Sequence, residues 1–155
     1  MKPKNIWASL LLVIVLSTAS GLLTGCSQKG TATDEAGGPA GFAMAPMDDM
    51  PAEVKTSAEN VKTSYAFAAA NPAIMKQLPC YCGCGTMGHR SLYACYVASA
   101  EPSGKITYDT HALGCTICVD IAQDAMRMLK DGKTVQQARA YIDQTYSQYG
   151  KSNLP

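Results

Sequence analysis

Apolar residues recur along this chain in two distinct patterns. One is continuous: behind Lys2 and Lys4, an almost unbroken apolar stretch runs from Ile6 to about Leu16. The other is helical. Between Pro51 and about Ala70, Val54, Ala58, Val61, Tyr65 and Ala68 step by four, three, four and three, which predicts an amphipathic helix. Asp48 or Asp49 is placed to cap it. Asn71-Pro72 ends that helix and predicts a short one through about Gln77, with Asn as cap and Pro in the first turn. From about Cys115, Ile117, Ile121, Ala125 and Met128 or Leu129 share one face of a third helix, which Asp131-Gly132 stops. Thr134, with Gln137 three residues on, has capping-box spacing. The helix it opens turns Ala138, Ile142, Tyr146 and Tyr149 inward and ends at Gly150.

Between the helical stretches the periodicity lapses. Residues 79–90 carry Gly83, Gly85 and Gly88 and no apolar period, and predict a tight loop. Glu101-Pro102-Ser103-Gly104 marks a turn, and Ile106 and Tyr108 alternate only weakly as a strand would. The expected fold class is therefore all-α: a C-terminal helical hairpin packed on the 51–70 helix, with a Cys/Gly-rich loop across one end.

The ends of the chain differ in composition from this domain. A basic start, an apolar stretch and small residues define a secretory leader and not a fold element. Leu23-Thr24-Gly25-Cys26 resembles the bacterial lipobox, which implies lipidation of Cys26 and residues 1–25 as a signal peptide. Acyl chains there would anchor the protein to the extracytoplasmic face of a membrane. From residue 26 to about 50 the chain turns to Gly, Ala, Thr, Pro and Met, too poor in large aliphatics to order itself, and is expected to be a flexible tether. Residues 51–155 remain for one small domain, a size at which metal ions or disulfides commonly supplement the core. Loss of Lys2 and Lys4 leaves eleven basic residues against twelve acidic, a balance that does not suggest a nucleic-acid partner.

Chemistry concentrates in the unpatterned region. In Pro79-Cys80-Tyr81-Cys82-Gly83-Cys84, thiols one residue apart cannot readily bridge one another, since a disulfide wants Cα atoms roughly 5.5 to 6 Å apart. His89, Cys95, His111, Cys115 and Cys118 follow, so six of the seven cysteines and both histidines lie between positions 80 and 118. Thiolate donors select Cu(I), Zn or Fe–S centres. The candidate metal ligands are Cys80, Cys82, Cys84, His89, Cys95, Cys115 and Cys118. His111, four residues before Cys115, serves equally well as a capping or surface residue. Met44, Met47 and Met50 form an M-x-x-M-x-x-M array resembling the thioether arrays that pass Cu(I), while Met126 and Met128 are helix-packing residues. The thiolate excess and nearby thioethers place Cu(I) ahead of Zn. The function expected is a soft-metal chaperone, scavenger or sink, exchanging its ion with a donor or acceptor protein.

Two alternatives stay open. Six exported cysteines can pair as three structural disulfides, with fifteen possible connectivities. Cys115 and Cys118, at a helix start that stabilises thiolate, can instead serve as the exchanging pair of a thiol-disulfide oxidoreductase. Gly114-Cys115-Thr116-Ile117-Cys118 and the two helices after it are similar to the membrane-anchored thiol reductases of cytochrome c maturation. No Ser-His-Asp set or acid/base pair of carboxylates appears, and catalysis is not expected. The run Pro79 to Cys84, with Gly88-His89 beyond, resembles the bacterial lipoproteins named for their PCYCGC motif, over about residues 51–150. That resemblance implies a lipoprotein with one domain and leaves the metal assignment to the ligands themselves.

Overall fold

The computed structural model describes residues 41–155; the leader, Cys26 and residues 27–40 lie outside the described residues. Helices dominate, joined by one small sheet. In chain order they are α1 (Ala52–Lys55), α2 (Glu59–Ala70), α3 (Pro72–Met75), β1 (Val97–Ala100), β2 (Ile106–Tyr108), α4 (Thr116–Lys130) and α5 (Val135–Tyr146). The expected hairpin is present: α4 packs on α5 and on α2. Ile121, Ala122, Ala125 and Leu129 of α4 are buried, as are Ala138, Ile142 and Tyr146 of α5. Gly132, at φ 75°, lets the chain leave α4 in a left-handed turn. The Thr134 side chain accepts from the Gln137 amide, and the Gln137 side chain accepts from the Thr134 amide, completing the capping box.

Several expectations are corrected. The 51–70 helix is two helices, because the Thr56 and Ser57 hydroxyls bond back to the carbonyls of Ala52 and Val54 and compete with continuation of the helical ladder. Ala58 is extended there, at ψ 153°, and exposed, while Val54, Tyr65 and Ala68 are buried. Asp48 and Asp49 belong to a 3₁₀ turn, Met47–Asp49, and cap nothing. Asn71 is the N-cap residue of α3, but its side chain makes no capping bond to that helix. Its side chain donates to the Ala43 and Phe67 carbonyls and accepts from the Ala43 amide, so it pins residues of the supposed tether. Phe42 meets Phe67 edge to face at 4.8 Å, and Met50 is buried, so residues 41–50 lie against the domain. The methionine array is divided accordingly: Met50 is core, Met47 is partly buried and Met44 is exposed. Tyr149 points outward at 58 % exposure, because the chain leaves the helix through a 3₁₀ turn at Ser147–Tyr149.

All-α gives way to a mostly helical fold with an antiparallel β1–β2 pair, in which Val97 faces Tyr108 and Ala100 faces Ile106. Glu101 to Lys105 close the hairpin, with Gly104 at φ 88°. The Asp109 amide donates to the Tyr96 carbonyl at 2.9 Å, extending the pairing one step beyond β2. The hairpin thereby carries Asp109 and His111 back to the cysteine loop. Among the described residues, no helix is long and apolar enough to cross a membrane.

The C-terminal tail closes over that loop. A Cβ at Gly150 would sit 2.7 Å from the Tyr81 carbonyl oxygen, a backbone atom that cannot swing aside, whereas one at Gly114 would meet nothing within 4 Å. Gly150→Ala is therefore expected to lower the unfolding free energy by about 1–3 kcal/mol, as overpacking does, while Gly114→Ala stays within about 0.5 kcal/mol. Urea unfolding of both variants checks this; equal stabilities would contradict the close approach.

Candidate metal centre

The loop 79–90 and the 3₁₀ turn Leu92–Cys95 lay their sulfurs against the start of α4. Cys80 Sγ lies 3.4 Å from Cys82 Sγ and 3.3 Å from Cys118 Sγ, and Cys82 Sγ lies 3.7 Å from Cys118 Sγ. Cys84 Sγ is 3.5 Å from Cys95 Sγ. Cys80, Cys84, Cys95 and Cys118 are buried, Cys82 and Cys115 half-buried, and all six are free thiols. An S–S bond is about 2.05 Å, so no pair among the described residues is bridged. A tetrahedral ion with four sulfurs at about 2.3 Å would hold them about 3.8 Å apart, close to these spacings.

Four overlapping groups have ligand atoms all within 4.8 Å of one another: Cys82, His111, Cys115 and Cys118; Cys84, His89, Cys95 and His111; Cys80, Cys82 and Cys84; and Cys80, Cys95 and Cys118. Every sequence-derived candidate falls in at least one. His111, left open on sequence, joins two of them, with Nε2 3.4 Å from Cys82 Sγ. His89 and His111 meet edge to face at 5.1 Å.

Outer partners hold the donors in place. No motif in the sequence marks Asp109 as a site residue. Its Oδ1 accepts from the His111 amide at 2.7 Å and its Oδ2 lies 3.5 Å from His89 Nε2. A carboxylate there favours the tautomer with the proton on Nε2, leaving Nδ1 a lone-pair donor. His89 Nδ1 is buried and has no hydrogen-bond partner among the described residues. An unmet buried polar atom costs about 1–3 kcal/mol, and a metal ion is the partner that a cysteine-lined surrounding would offer it. Tyr65 Oη donates to the Asp109 carbonyl, and Tyr96 Oη donates to the Cys118 carbonyl, each at 2.7 Å. Asn153, in a tail without any motif, was also missed. Its Oδ1 accepts from the Cys80 amide at 2.7 Å, its own amide donates to the Cys80 carbonyl, and Nδ2 donates to Cys84 Sγ at 3.4 Å. Gly83, at φ 87°, gives the turn that sets Cys84 behind Cys82.

The thiols do not ionise independently. The Cys118 thiol hydrogen bond pulls Cys80 far below the usual thiol range, helped by Cys84 and Cys95. Cys84 is correspondingly pushed up, chiefly by its bond to Cys80, and Cys118 chiefly by its bond to Cys115. Burial, then the Cys80 charge, pushes Cys82 up to about 12. Cys115 is lowered to about 5, first by the Cys118 thiol and to a lesser degree by the Cys118 backbone amide. It is thus half-exposed and thiolate at neutral pH.

A Cys/His cluster of these dimensions could hold a metal ion. The chain belongs to the family described as "Protein of unknown function with PCYCGC motif", whose model matches residues 13–153. No curated protein and no solved structure matches it.

In reduced, metal-free protein Cys115 is expected to react first with iodoacetamide. Because its pKa is depressed to about 5, its rate should hold level from pH 8 down to about 6 and fall below about 5. Peptide mapping after brief alkylation measures this. First labelling at Cys82, or a rate still climbing above pH 8, would contradict it.

Proposed function

We propose that this protein holds soft metal ions in a buried thiolate–imidazole centre, as a store or sink on the extracytoplasmic face of a membrane, anchored through Cys26. The single observation behind this is the convergence of all six domain cysteines with His89 and His111 into groups of metal-binding dimensions. Burial favours retention over carriage: Cys80, Cys95 and Cys118 are inaccessible to solvent, whereas rapid hand-over needs thiolates that an incoming ligand can reach. Cys82 and Cys115, half-buried, are the entry side. The sulfur majority selects Cu(I) or Zn. The set Cys82, His111, Cys115 and Cys118 suits tetrahedral zinc, and Cu(I) finds its lower-coordinate thiolate sites within the same cluster. The thioether support for Cu(I) weakens, since Met50 is a core side chain. Bound metal would also keep these thiols from pairing in an oxidising compartment. The ligands must lose their protons to bind, so uptake releases thiol protons to solvent.

Titration of reduced full-length protein against competing chelators tests this. The Cys82→Ser/Cys84→Ser double variant, which removes a sulfur from each four-membered group, is expected to weaken Cu(I) and Zn binding more than about 100-fold, beyond the loss of any outer partner. Asp109→Asn, which keeps every ligand, is expected to weaken it about 10- to 100-fold. Parent-like titration by the double variant would show that the loop is not the site. Membrane anchoring has its own test: Cys26→Ala should release the protein or stall its maturation, and a fully membrane-bound, correctly processed variant would contradict it.

The Cys115 thiolate favours a second reading, thiol-disulfide exchange. There Cys115 attacks a substrate disulfide, expelling one thiolate, and Cys118 resolves the mixed disulfide, leaving a Cys115–Cys118 disulfide and a reduced dithiol. That activity would survive Cys82→Ser/Cys84→Ser. A disulfide-reduction assay separates the two readings.

A further inference from the structure

Eight donors, six sulfurs and two imidazoles, are too many for one ion of tetrahedral coordination. One ion would engage four and leave four others beside it. The geometry points to a two-ion centre, an inference that rests on the metal-binding reading above. The outer ion takes Cys82, His111, Cys115 and Cys118, a complete four-donor group on the half-buried side. His111 Nε2, 3.4 Å from Cys82 Sγ, belongs to this ion. The inner ion takes Cys84, Cys95 and His89, whose Nδ1 is the buried atom without a partner among the described residues.

Three donors leave the inner ion one short, and Cys80 supplies the fourth. Its sulfur lies within 4.8 Å of Cys84 and likewise of Cys95. Each ion then has three sulfurs and one nitrogen, and no cysteine or histidine of the domain is left over. Cys80 is also where the two coordination shells touch, since its sulfur is 3.3 Å from Cys118 Sγ and 3.4 Å from Cys82 Sγ. Asn153 fixes that position from both sides of the Cys80 backbone, through its Oδ1 and its amide. Asp109 touches both ions' ligands, its Oδ1 on the His111 amide and its Oδ2 beside His89 Nε2. The two histidines are thus set by one carboxylate.

Native mass spectrometry of reduced full-length protein loaded with Cd(II), with ¹¹³Cd NMR on the same samples, reads the stoichiometry directly. The wild type is expected to hold about two Cd(II) per chain, giving two resonances from sulfur-rich sites. His111→Ala/Cys115→Ser should lose the outer ion alone, and Cys84→Ser/His89→Ala the inner ion alone, each keeping about one ion and one of the two resonances. The first double variant changes only half-buried residues, so it stays informative if the second fails to fold; circular dichroism reports folding of both. One Cd(II) in the wild type overturns the two-ion centre and leaves the metal-binding reading standing. No Cd(II) at all overturns both. Two ions retained by a folded double variant also overturn the division of donors between an outer and an inner ion.

Discussion

Mutual contact among six sulfurs in the middle of a small domain is the constraint on which the rest of the structure depends. Thiols pack as small apolar groups, but these sulfurs form bonds with one another that lower the pKa values of Cys80 and Cys115 and raise those of Cys84 and Cys118. Further ionisation would set like charges within van der Waals reach at low dielectric. A soft cation removes that conflict by replacing the shared protons. An inert cysteine core would not account for His89, whose Nδ1 is buried without a partner among the described residues while Asp109 stands at its other nitrogen.

The surrounding fold holds the sulfurs at this separation. The β-hairpin has little core of its own, with only Val97 of β1 buried, and its service is to return the chain to Asp109 and His111. Buried tyrosines fix the backbone on both sides: Tyr65 holds the Asp109 carbonyl, Tyr96 holds that of Cys118, and the two rings meet edge to face at 4.9 Å. Tyr81, between two of the cysteines, donates to Asp143 of α5 at 2.6 Å, tying the loop to the helical hairpin. The tail then covers the loop through Gly150 and Asn153. Every contact to the centre therefore comes from a different stretch of chain, and the site exists only when the domain is folded.

Much of this was legible in the sequence because it is written in local pattern. The α4–α5 hairpin follows from helical spacing and a capping box at Thr134, both of which act within a few residues. The cysteine loop is legible because three alternate thiols exclude simple pairing. The break between α1 and α2 was not, since Val54 to Ala68 keep a helical period while the Thr56 and Ser57 hydroxyls interrupt the ladder. The hairpin at 97–108 was faint because Ala98, Ser99, Ala100 and Thr107 face solvent and carry no apolar alternation. Asp109 and Asn153 act through contacts 20 and more than 60 residues away along the chain, a separation that no local signal spans. Composition alone places residues 41–50 in the tether, yet Asn71 and Phe67 give them partners.

X-ray absorption at the metal edge, on protein isolated with its own ion, tests the central claim most directly, because it reads the donor atoms themselves. A centre built from these residues gives a first shell dominated by sulfur at about 2.3 Å, with a smaller nitrogen contribution at about 2.0–2.1 Å if the ion is zinc. A shell of nitrogen and oxygen alone, or isolated protein without metal and with its cysteines joined in disulfides, would contradict it.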